Sequence, residues 1–130
     1  MLSSLVLAAA LAVAPESFVI AVGNNNSPKL GRPQLKYADD DAARAVETFL
    51  SATGTRHVEL LTTMDDDSAR LHAGLLAQAK PATRAEVAAA FARLADWGKE
   101  RRAEGVRTRG YFIFAGHGDV SSSRSMPRGS

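Results

Sequence analysis

"SFVIAVGNNN", residues 17–26, is the stretch on which the fold turns. Ser17 is followed by a run of apolar residues without polar alternation, and Gly23 ends the run. A strand that is apolar on both sides needs cover on both sides, as in a parallel sheet between helices. The segment that follows, GNNNSPKLGRP at 23–33, is dense in turn formers and reads as a loop of functional length.

Working outward, Asp39, Asp40 and Asp41 precede a pattern of Ala42, Val46, Phe49, Leu50 and Thr53 that places one apolar stripe on a helix. The aspartates suit its first turn and the positive end of its dipole, and Gly54 suits its end. HVELLT at 57–62 is a second strand. Residues 65–80 allow either a short helix, through Leu71, Leu75, Leu76 and Ala79, or an ordered loop closed by Pro81. Thr83 and Glu86 form a capping box for a helix with Val87, Phe91, Leu94 and Ala95 on one face, running to about residue 104. Residues 111–114, YFIF, read as a third, fully buried strand. The order strand, helix, strand, helix, strand predicts an α/β fold with a parallel sheet flanked by helices. Chemistry in such sheets lies beyond the carboxyl ends of the strands, where residues 23–27, 63–66 and 116–119 meet.

With 130 residues the chain holds one domain at most. Its net charge of +2 comes from mixed basic and acidic residues with no aromatic side chains interleaved, which argues against nucleic-acid binding. Lys99, Arg101, Arg102, Arg107 and Arg109 read as a solvated helix end complementing the dipole. There is no cysteine, so disulfides, thiolate zinc sites and a cysteine nucleophile within these 130 residues are excluded. Residues 1–14 lack charge, and Leu5 begins an apolar run too short for a membrane span, which takes roughly 20 residues. That run and Ala12-Val13-Ala14 fit a signal peptide, which would send the protein to the periplasm or outside. Read instead as a buried N-terminal segment, it leaves the protein cytoplasmic. The domain then spans 15–120, and the Ser- and Arg-containing tail at 121–130 has no periodicity and is expected to be disordered.

His117 sits between Gly116 and Gly118 at the exit of the third strand. The glycines let the backbone turn sharply and a substrate approach; an imidazole is a side chain suited to proton transfer with a nucleophile; the Gly118 amide could face a developing oxyanion. The other reading is a turn histidine whose glycines serve chain geometry alone. His57 and His72 stand alone without metal-ligand spacing. The run Asp65, Asp66 and Asp67 offers oxygen ligands for a cation such as calcium, or is a solvated acidic loop. No other metal or cofactor is expected. Trp97 and Phe91 are expected in the core.

The order "SFVIAVGNNN", "LKYADDDAARAVETFL", "VELLTTMDDD", "TRAEVAAAFARL" and "YFIFAGHGDV" resembles the front half of a caspase-like cysteine peptidase, in the style of bacterial caspase- and metacaspase-related proteins. The resemblance covers roughly residues 17–120. It implies a three-layer caspase-like fold, incomplete at the C-terminus. It also implies a cysteine-type endopeptidase acting on peptide or protein substrates, in which His117 exchanges the thiol proton and the Gly118 amide is an oxyanion donor. The cysteine would follow the next strand, so the missing C-terminal half would be an obligate packing partner. Leu35 stands where animal caspases carry a substrate-binding arginine. Asp41 aligns with the aspartate that metacaspases use for basic substrate residues, and it also reads as a plain helix cap. Two other readings are a catalytically inactive fragment or binding module, and an α/β-hydrolase, which lacks its G-x-S-x-G elbow here. A P-loop is absent as well.

Overall fold

The structure, a computed structural model, describes residues 14–26 and 31–117. Its elements are β1 (Glu16–Asn24), α1 (Ala38–Thr53), β2 (His57–Thr62), α2 (Asp66–Leu71), a 3₁₀ segment (Ala73–Gln78), α3 (Arg84–Ala103) and β3 (Thr108–Gly116). The expected leader, save Ala14, and the expected tail lie outside the described residues.

The strands form one parallel sheet in the order β2-β1-β3, with β1 in the middle. Register places Val19, Ala21 and Gly23 beside Tyr111, Ile113 and Ala115, and Phe18, Ile20 and Val22 beside Gly110, Phe112 and Phe114. The pleat sends these two sets to opposite faces. α1 covers the first face, where Ala42, Ala43 and Val46 pack on Ala21, Leu60 and Leu75. α3 covers the second, where Trp97 and Ala90 pack on Phe18, Ile20, Val22 and Leu61. Val19, Ile20 and Ala21 are completely buried, as a central strand covered on both sides requires.

Gly54, at φ 66°, ends α1 as its position suggests. α3 begins at Thr83, whose hydroxyl accepts from the Glu86 amide at 3.1 Å, and Gly105 follows its end in the left-handed region. The ambiguous stretch 65–80 is helical in two short pieces. It buries Leu75 but leaves Leu71 and Leu76 exposed, so the expected apolar face is only partly used.

Three expectations need correction. The aspartates do not cap α1. Its cap position is Tyr37, without a side-chain bond, and Asp39 and Asp40 turn to other partners. β3 is not fully buried: it lies at a sheet edge, and Phe112 and Phe114 are each 53% exposed. Phe91, expected in the core, is exposed and packs at a tilt against Phe112, with centroids 5.3 Å apart. All three phenylalanines lie on the α3 face, where that helix leaves the sheet uncovered. Among the described residues, no helix is long and apolar enough to cross a membrane.

Candidate active site

The loop that leaves β1 is held by one side chain. Asn25 is buried; its carbonyl accepts from the Leu35 amide at 2.8 Å, and its Oδ1 accepts from the Ala38 amide at 2.8 Å. Asn25 therefore caps α1 from thirteen positions upstream and pins residues 31–37 against the sheet edge. Asn24 Oδ1 accepts from the Asn26 amide at 3.0 Å and tightens the same turn. Gly23 allows α1 to sit close: a Cβ there would lie 2.8 Å from the Ala42 Cβ and nearer still to the Ala38 carbonyl oxygen.

That pinned loop meets His117. The half-buried imidazole lies just past β3, and its Nε2 is 2.8 Å from the Pro33 carbonyl oxygen. A carbonyl can only accept, so Nε2 carries the proton and donates. In the neutral ring Nδ1 is then a lone-pair acceptor. The arrangement can take a proton at Nδ1 while the ring is held from behind.

The carboxyl ends of β1 and β2 also border a polar cavity of about 320 Å³, lined by Asn24, Asn25, Asn26, Gln34, Thr63 and Asp65 among others. His117 is not one of its lining residues. Beneath it, Asp39 is completely buried, and its Oδ2 accepts from the Asp65 amide at 2.9 Å. Burial alone would raise the Asp39 pKa, but that amide and neighbouring polar groups outweigh it and hold the carboxyl below its usual range.

Of the residues singled out in the sequence, His117 stands at the carboxyl edge of the sheet and Gly118 lies outside the described residues. Asp41 is exposed in the first turn of α1, with its amide donating to the Tyr37 carbonyl at 2.9 Å. No hydrogen bond or ion pair joins it to His117 among the described residues. The acidic run begins α2: Asp65 Oδ1 accepts from the Ser68 amide at 2.8 Å, and Asp67 pairs with Arg70. In the basic link, Arg101 bridges Glu16 and Glu104.

Two features were missed. Pro33 and Asn25 gain their roles only from the packing of the loop, although three consecutive asparagines after a buried strand hinted at side chains bonding backbone. His72, isolated in sequence, is buried between Asp40 and Glu47. Those two acids are two helical turns apart on one face of α1, the only local signal for a shared partner. No family model, curated protein or solved structure matches the chain.

Proposed function

We propose that this domain is the histidine-bearing part of a caspase-like cysteine endopeptidase, with His117 as its general base. The observation that carries the reading is the Nε2–H bond from His117 to the Pro33 carbonyl at the carboxyl end of a parallel sheet. With Nε2 donating there, Nδ1 of the neutral ring is the lone-pair atom suited to accept a thiol proton. The sequence has no cysteine, so the thiol comes from polypeptide outside it.

In this mechanism His117 Nδ1 takes the thiol proton, and the thiolate attacks the peptide carbonyl carbon. The imidazolium returns that proton to the leaving amine as the C–N bond breaks. Water, deprotonated by His117, then hydrolyses the thioester. The Gly118 amide is assigned to the oxyanion and Asp41 to a basic substrate side chain; both assignments rest on the resemblance. The open face of Phe91, Phe112 and Phe114 beside edge strand β3 supports further strands packing there in the whole domain.

The 130-residue chain alone is expected to cleave no peptide. Joined to a downstream reading frame that supplies an apolar strand and a cysteine-bearing turn, it is expected to cleave peptides. His117→Ala should then lower kcat by about 10³-fold or more. The reading fails if no frame supplies such a cysteine, or if His117→Ala leaves cleavage intact. The absence of cysteine favours a second reading, a non-catalytic peptide-binding domain, which peptide binding without cleavage by the extended protein would support.

A further inference from the structure

His72 is 5% exposed and lies between two carboxylates of α1. Its Nε2 is 2.6 Å from Asp40 Oδ1 and its Nδ1 is 2.7 Å from Glu47 Oε1. Ionised carboxylates only accept, so both ring nitrogens must donate, and the geometry is that of an imidazolium. A neutral ring has one donor and would set a bare lone pair against one of the two anions.

We propose that His72 is a proton-operated latch that fastens residues 65–78 to α1 while both ring nitrogens carry protons, and loosens them when one proton leaves. The segment is tied down at its start, where the Asp65 amide donates to Asp39 and Ser68 is buried, and just past its end, where Lys80 pairs with β2, but its middle has few holds besides His72. α2 is six residues long, Leu71 and Leu76 face outward, and Leu75 is the large side chain it buries. The carboxylates differ in freedom. Asp40 is nearly buried and also accepts from Arg44 Nε at 2.9 Å, whereas the Glu47 side chain is 47% exposed. On deprotonation Nε2–H stays with Asp40, Nδ1 becomes the lone pair, and Glu47 turns to water.

The surrounding charges agree with this direction. From α1 the ring meets Asp40 and Glu47, with Arg44 behind Asp40; on α2, Asp66 lies in the first turn and Asp67 pairs with Arg70. Lys36 and Asp65 line the groove of about 440 Å³ alongside Asp40. Burial works against the charged ring, but the bonds to Glu47 and Asp40 outweigh it and raise the His72 pKa above its ordinary 6.5. The stabilisation is therefore complete below that ordinary value and is lost as pH rises through the folded one. The Asp40 carboxyl is held below its ordinary 3.8, first by His72, so its own contribution fails only as pH falls through that lowered value.

Amide hydrogen exchange on the full chain tests the latch, with α3 as internal reference. Protection factors over 65–78 should fall about tenfold between about pH 5.5 and 8.5, while those of α3 hold. Glu47→Gln should flatten that difference without unfolding the chain, because an amide can accept from the charged ring or donate to the neutral one. The His72 ring-proton signal should titrate above the ordinary histidine value, and lower in Glu47→Gln than in the native chain. Protection independent of pH in the native chain, or a His72 midpoint at or below the ordinary value, overturns the proposal.

Discussion

The two faces of the sheet are closed by different means. Under α1 the closest approach is between small residues: Gly23 sits directly against Ala38 and Ala42, inside a cluster completed by Val46, Leu60 and Leu75, and polar groups (Asn25, Asp39, Asp40, His72) tie the rim. Under α3 the cover is aromatic and partial: Trp97 lies against Phe18, with centroids 5.4 Å apart, while Phe112 and Phe114 stay open. A small-residue interface tolerates no added volume, whereas one built on large rings fails when a ring is removed. The carboxyl edge of the sheet is organised from the tight face, through Asn25 and the loop that carries Pro33.

The contrast can be broken first at Trp97. Trp97→Ala removes the ring that fills the α3 face and is expected to cost about 3–5 kcal/mol in urea unfolding. A loss under 1 kcal/mol would mean that α3 is held by its ends. The double change Phe112→Ser with Phe114→Ser should cost about 1.5–3 kcal/mol in all, less per ring than Trp97→Ala, because both rings are half in water. It should reduce self-association in sedimentation, and unchanged association would remove the open face as a packing surface. Next comes a matched pair of glycines. Gly23→Ala drives a methyl into the Ala38 backbone and is expected to cost about 1–3 kcal/mol. Gly110→Ala meets only the movable Leu94 side chain, at 3.3 Å, and should be near neutral. Equal losses from the pair would erase the distinction between the faces. Thr83→Ala removes the hydroxyl cap of α3 and should lower stability by about 1 kcal/mol.

The parts of this design visible in the sequence are those set by local chemistry. The apolar run at 17–22 becomes β1, Gly54 stops α1 and Thr83 starts α3, because each effect acts within one strand or one turn. His117 falls at the carboxyl edge for the same reason, since it directly follows β3. What local chemistry does not carry is coverage. Nothing in YFIF distinguishes an edge strand from a central one, so the exposure of Phe112 and Phe114 had to come from strand order. The partners of His117 and His72 are likewise tertiary. Pro33 is 84 positions from one, and Asp40 and Glu47 are 32 and 25 from the other.

The central place of β1 also has a consequence in time. Among the described strands, the first made is the one that pairs on both sides: Phe18 pairs with His57, while Glu16 pairs with Thr108, roughly 90 residues later. At a synthesis rate of about 5–20 residues per second, β1 waits on the order of 5–20 s for its second neighbour. Through that interval the β1 edge that will meet β3 is open, while α1, already made, can dock over Ala21 and Gly23.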